Sequence, residues 1–310
     1  MVAPSSPFDA GSFEAGLEVL RSRFGLRPRM RDDIRTRTGY LAGDDARRLR
    51  EWIEAASDPE AKAIWCARGG YGALRLLPRL ETARLLHPPR LVVGFSDATA
   101  LHVALNQAGL VTVHGPVVTQ LSKLPPEALD HLEALLFGQV VPGGPPRAGG
   151  VPALGNGVLG TGVIRPGEAT GPLLGGSLTL LAHLCGTPWR PRLGGAVLFI
   201  EDVGEKPYRL DRYLTQLRLS GALDGVAAVC VGQLTDCSNG ETGFDDPGAS
   251  GAEVVRRLVR ELDVPAIDGV SAGHESMNLA LPLGAVVTLV APSGLAEGPP
   301  RLLFDQGATT

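Results

Sequence analysis

Apolar positions recur along this chain with two periods, and their alternation outlines the fold. Phe13, Leu17, Leu20 and Phe24 fall three or four residues apart, the spacing of one helical face. Residues 44–56 read as a second helix, charged on one side, with Leu49, Trp52 and Ile53 on the other. Between and after these helices lie short runs of strand length, at residues 63–67, 91–94 and 111–114. The first run leads into Arg68-Gly69-Gly70-Tyr71-Gly72 and then a helical stretch over 73–80. Strands separated by helices predict parallel β-α units, hence an N-terminal layered α/β domain with a mostly parallel sheet. The functional crevice of such a sheet lies beyond the carboxyl ends of its strands. Both the glycine loop and Ser96 fall at strand ends.

Between residues 141 and 171 glycine and proline crowd together and the alternation stops. This segment reads as a linker running into short, tightly turned strands. It places a domain boundary near residue 140, with domains over 1–140 and 141–310. The second half then offers helices over 177–184 and 208–220, and strands over 196–201, 226–232 and 285–291. That pattern predicts a mixed α/β domain.

Composition removes several function classes. With 310 residues, 44% hydrophobic and 20% charged, the chain reads as globular and can build a substantial core. A net charge of −4 gives no basic face for nucleic acid. The longest apolar runs, such as 285–292, are strand-sized and too short to span a bilayer. The amino terminus lacks the basic and apolar regions of a secretory signal. Cys66, Cys185, Cys230 and Cys237 show no metal-type spacing and read as buried free thiols, which fits a reducing cytoplasm.

The chemistry concentrates at Gly94-Phe95-Ser96-Asp97-Ala98, where a β-branched run meets a helical pattern carrying Leu101, Ala104 and Leu105. A serine at such a sharp strand-to-helix turn has the setting of a nucleophile elbow, beside N–H groups that favour a developing negative charge. The competing reading is a serine that merely caps the helix. A serine nucleophile needs a base, normally a histidine oriented by a carboxylate. His102 and His131 lie in helical patterns and read as surface residues, whereas His274 lies in a Gly/Ser loop between apolar stretches. Glu201 ends the apolar strand 196–201, with Asp202 and Glu205 close behind as alternative partners or solvated loop charges. The Arg68-to-Gly72 loop offers exposed N–H groups that could cradle an anion, or is a tight structural turn. It has neither phosphate-loop nor dinucleotide-fold spacing.

Taken in order, Val2-Ala3-Pro4-Ser5, Gly39-Tyr40-Leu41-Ala42-Gly43, Ala67-Arg68-Gly69-Gly70-Tyr71-Gly72, Gly94-Phe95-Ser96-Asp97-Ala98-Thr99-Ala100-Leu101, His114-Gly115-Pro116, Gly175-Gly176-Ser177-Leu178-Thr179, Glu201 to Arg212 and Gly273-His274-Glu275-Ser276-Met277-Asn278 span almost the whole chain. The set resembles the LD-carboxypeptidase, or muramoyltetrapeptide carboxypeptidase, family of serine peptidases. The resemblance implies a triad of Ser96, His274 and Glu201, and an oxyanion hole from the N–H groups of Asp97 and Gly70. It also implies a cytoplasmic homodimer without metal or cofactor, whose substrate is a murein tetrapeptide losing its terminal D-alanine. A terminal carboxylate must be recognised, for which Arg68 and its loop are the nearest candidates. Alternatively, Arg68 only braces the loop through backbone carbonyls.

Two departures stand out. The family's first strand normally begins several residues before Ala-Pro-Ser, which leaves a shortened strand or an upstream start as the readings here. Ser177 occupies a position often held by asparagine. Two competing functions remain: a microcin C immunity-type hydrolase of peptidyl or aminoacyl nucleotides, for which Trp189 is a candidate platform, and a catalytically silent binding protein.

Overall fold

The computed structural model describes residues 1–82, 89–137, 153–154, 157–238 and 250–304. The first half runs α1 (Ala10–Ser22), α2 (Asp45–Ser57), β1 (Ala63–Trp65), a 3-10 turn (Ala73–Arg79) and β2 (Leu91–Gly94). A second 3-10 turn (Ser96–Ala98) opens into α3 (Thr99–Gln107), followed by β3 (Thr112–His114), α4 (Val118–Leu121) and α5 (Pro126–Leu136). β1, β2 and β3 are parallel neighbours, as the alternation predicts. The amino terminus reaches this sheet through a single parallel bridge from Val2 to Cys66.

The second half contributes β4 (Ala153–Leu154), β5 (Gly157–Leu159), β6 (Gly162–Arg165), β7 (Gly167–Ser177), α6 (Leu178–Leu184), β8 (Val197–Val203) and α7 (Pro207–Leu219). It continues with β9 (Ala228–Thr235), α8 (Gly251–Arg260), β10 (Ala266–Asp268), β11 (Leu281–Leu283), β12 (Val286–Ala291) and β13 (Arg301–Phe304). Nine of these strands form one sheet in the order β4-β5-β13-β12-β7-β8-β9-β10-β6. Its centre, β7 to β10, is parallel and its flanks are antiparallel. The mixed α/β class is therefore as expected.

The two halves are interleaved. β11 comes from the second half yet pairs antiparallel with β3, as the edge of the first sheet. Each of the two apolar clusters draws on both halves: Trp52 and Leu101 pack with Leu198 and Leu210, and Trp65 and Val93 with Phe199 and Leu289. The expected boundary near residue 140 lies outside the described residues.

The charged side of α2 is in large part interior: Arg48 is fully buried, Glu51 is 2% exposed and Arg47 6%. Arg47 and Glu51 pair with each other at 2.8 Å, and both also reach the backbone: Glu51 Oε2 accepts the Ala3 N–H at 2.6 Å and Arg47 Nη1 donates to Ala42 O at 3.0 Å. His102 and His131 are also interior rather than surface groups. Their Nε2 atoms bond Gly94 O at 2.8 Å and Ala280 O at 2.7 Å, which satisfies one polar atom of each buried ring. Cys185 is half-buried, unlike the other three thiols.

Candidate active site

The site begins with the backbone of the elbow. β2 delivers Phe95 in an extended conformation, and Ser96 then turns to φ +62°, a left-handed value that costs a non-glycine residue free energy. The chain recovers at once, because the Ala98 N–H closes a turn onto Phe95 O at 3.2 Å and α3 follows. Tight flanks are required. A Cβ on Gly94 would lie 3.0 Å from Ala98 Cβ and from Cys66 Sγ. Ser96 makes no side-chain capping bond to the helix behind it. The capping alternative is therefore not what the serine does; it stands half-buried at the carboxyl end of the first sheet.

The glycine loop lies against it. A Cβ on Gly69 would sit 2.9 Å from Ser96 Cβ and 3.1 Å from Ser96 Oγ, so only glycine admits this approach. Gly70, at φ +106°, is held from behind by Ser6. Ser6 N–H donates to Gly69 O at 3.3 Å, and Ser6 Oγ accepts the Tyr71 N–H at 3.1 Å. Among the described residues, the N–H groups of Gly70 and Asp97 donate to no other group, which leaves them available to an incoming anion. Arg68 is exposed, and its Nη1 donates to Pro7 O at 2.6 Å. It braces the loop.

The second sheet supplies a histidine–carboxylate pair. Glu201, on β8, is fully buried, and its Oε2 bonds His274 Nδ1 at 2.8 Å. That bond orients the ring and leaves Nε2 as its other polar atom. Phe95, the neighbour of Ser96, packs tilted against the His274 ring at a centroid distance of 4.7 Å. This contact brings the elbow and the imidazole together across the two sheets. Behind Phe95 sits His114, fully buried, edge-on to Phe95 at 5.7 Å and to Phe199 at 4.9 Å.

The alternative acids have other partners. Asp202 Oδ2 accepts the Thr179 N–H at 2.7 Å and the Thr179 hydroxyl at 2.8 Å, close to the start of α6. Burial, with Glu201 beside it, pushes the Asp202 carboxyl up to about 6. Glu205 pairs with Arg209 at 3.3 Å. Ser177 caps α6 through its Oγ, while its N–H donates to Thr99 Oγ1 at 3.0 Å. Trp189 packs half-buried against the core. Sequence reasoning overlooked Ser6, Arg48, Thr99 and the aromatic stack; their roles depend on partners far away in the chain, and no local pattern marks them. Among the described residues, no group of three or more His, Cys, Asp or Glu is placed to hold a metal ion, and no helix is long and apolar enough to cross a membrane.

Comparison with known proteins now decides the family. Residues 1–115 match the LD-carboxypeptidase N-terminal domain, and residues 170–289 match the LD-carboxypeptidase C-terminal domain. The chain belongs to the LD-carboxypeptidase family. It is 33% identical to the murein tetrapeptide carboxypeptidase of Pseudomonas aeruginosa, over 93% of this chain and 92% of that one. The crystal structure of muramoyltetrapeptide carboxypeptidase from Oxalobacter formigenes superposes with a TM-score of 0.79 at 30% identity, covering 98% of this chain and 99% of that chain. The chain is also 25% identical to the microcin C7 self-immunity protein MccF of Escherichia coli, over 81% of this chain and 77% of that protein. These findings make the chain a member of a peptidase family.

Proposed function

We propose that this protein is a serine-type LD-carboxypeptidase that releases the terminal D-alanine of a murein tetrapeptide. The observation that carries the reading is the buried Glu201–His274 bond, joined through Phe95 to a serine held at φ +62°. In this mechanism Ser96 Oγ attacks the scissile carbonyl while His274 Nε2 takes its proton. Glu201 holds the ring and stabilises the imidazolium, and the N–H groups of Asp97 and Gly70 receive the oxyanion. His274 then returns the proton to the departing amine, and water resolves the acyl-enzyme by the same steps in reverse roles.

The carboxypeptidase relatives, matched along more than nine-tenths of their length, support the substrate class. A silent binding protein would have no need of a strained serine beside a carboxylate-bound imidazole. A cytoplasmic homodimer is the form that the family resemblance implies.

A carboxypeptidase must meet a free terminal carboxylate, and desolvating that charge requires compensating donors. Amidation of the terminal D-alanine should therefore lower kcat/KM by about 10²-fold. Equal cleavage of amidated and free tetrapeptides would make the enzyme an endopeptidase or amidase and overturn the reading.

A further inference from the structure

Arg48 and Asp97 are deeply buried charges beside the site whose side chains the triad does not use. Arg48 is fully buried and Asp97 is 2% exposed. Removing such groups from water costs several kcal/mol per ion unless good geometry offsets it, so what they hold indicates what they are for. Between them they hold both ends of one peptide group, while Arg48 Nη2 also pairs with Asp45. Arg48 Nη1 donates to Gly72 O at 2.9 Å, and Asp97 Oδ2 accepts the Ala73 N–H at 2.8 Å. The carbonyl and the N–H are the two ends of the Gly72–Ala73 peptide, which is thereby fixed from both sides.

We propose that Arg48 and Asp97 are positioning residues that clamp this peptide and so set the oxyanion loop against the nucleophile. The inference rests on the serine-peptidase reading above. Asp97 adjoins Ser96 and carries one oxyanion donor on its own backbone, while its carboxylate anchors the loop bearing the other donor at Gly70. Both halves of the hole are thus referred to one residue. Gly72 is shaped for the arrangement: it lies at φ +129°, and a Cβ there would fall 2.6 Å from Arg48 Nη1. The same guanidinium also donates to Pro4 O, tying in the segment whose Ser6 buttresses Gly70. A carboxylate next to a developing oxyanion would oppose it, and the buried Arg48 charge offsets that repulsion. Burial raises the Asp97 carboxyl while its hydrogen bonds and Arg48 draw it down.

The test is the rate at which a fluorophosphonate probe phosphonylates Ser96, since that reaction needs the oxyanion hole but no murein peptide. Ser96 Oγ bonds to phosphorus, fluoride departs and His274 takes the proton. Asp97→Ala should slow labelling and kcat together by about 10²-fold, the scale of a lost oxyanion donor, with KM changed less than about threefold. Asp97→Asn, which keeps an acceptor oxygen, should lose about tenfold. An unchanged rate per active site in Asp97→Ala, even with a lowered Tm, would overturn the clamp. If Asp97→Ala does not fold, hydrogen exchange on the wild-type enzyme decides. The Ala73 amide should exchange slowly in the free enzyme, and the Gly70 amide should slow only on phosphonylation; a rapidly exchanging Ala73 amide overturns the inference. A wild-type enzyme that is labelled at Ser96 but leaves murein tetrapeptide intact would overturn the proposed substrate instead.

Discussion

Thr99 Oγ1, one turn beyond Ser96, accepts the backbone N–H of Ser177 at 3.0 Å. Ser177 pairs in register with Glu201 on the adjacent strand. One hydrogen bond therefore links the element carrying Ser96 to the strand beside Glu201. Thr99→Val keeps the shape but leaves a buried N–H unsatisfied, which costs about 1–3 kcal/mol. The expected result is a lower Tm together with a kcat reduced by about tenfold, read by thermal unfolding and steady-state kinetics. An unchanged kcat would show that the two sheets hold their alignment without this bond.

Gly69→Ala isolates the approach of the glycine loop to the serine. The added methyl group would meet Ser96 Cβ at 2.9 Å and Oγ at 3.1 Å. Misplacement of a reacting group by about 1 Å costs about 10²-fold in rate. Kinetics should show that loss with near-native circular dichroism, and near-wild-type turnover would contradict the packing.

The choice of acid is tested by three substitutions compared side by side. Glu201→Gln should lower kcat by about 10²-fold or more, because the imidazolium loses its anionic partner. Asp202→Asn and Glu205→Gln should cost less than about tenfold, since these groups bond Thr179 and Arg209. The reverse ranking would reassign the acid.

Buried histidines predict an acid limb in stability. Burial lowers the His102 ring to about 4 in the folded protein, against 6.5 in the unfolded chain. Between those values the unfolded state binds the extra proton, so stability falls as pH drops, by about 1.4 kcal/mol per unit at most for this group. His114 and His131 act in the same direction, and Asp202 opposes them. His102→Gln can keep the bond to Gly94 O while removing the titration. Urea unfolding between pH 4.5 and 6.5 should give a shallower slope for the variant, whereas parallel profiles would show that His102 does not stay neutral.

Much of this was legible where local pattern and tertiary role agree. The apolar run of β2 and its sharp exit at Ser96 were readable because the strand is buried on both faces and the turn demands small neighbours. β7 was not readable. Its glycines are needed because a Cβ on Gly175 would lie 1.8 Å from Phe199 O, and one on Gly171 would lie 2.1 Å from Gly195 O. Such a strand shows no alternation and resembles a linker. The burial of Arg48 and Glu51 on α2 was not readable, because these side chains reach backbone groups of Ala3, Pro4 and Gly72 far away in the chain. Ser96, Glu201 and His274, the proposed triad, could be named from their motifs. Only geometry separates Glu201 from Asp202 and Glu205, since a strand end places successive side chains on opposite faces.

The most direct measurement is to incubate purified murein tetrapeptide with the wild-type protein and with Ser96→Ala, and to follow the peptide by mass spectrometry. The wild-type protein should convert it to the tripeptide by loss of one terminal alanine, and Ser96→Ala should be slower by about 10⁴-fold or more while folding normally. A wild-type protein that leaves the tetrapeptide intact, or a variant that trims it at a comparable rate, would contradict the account.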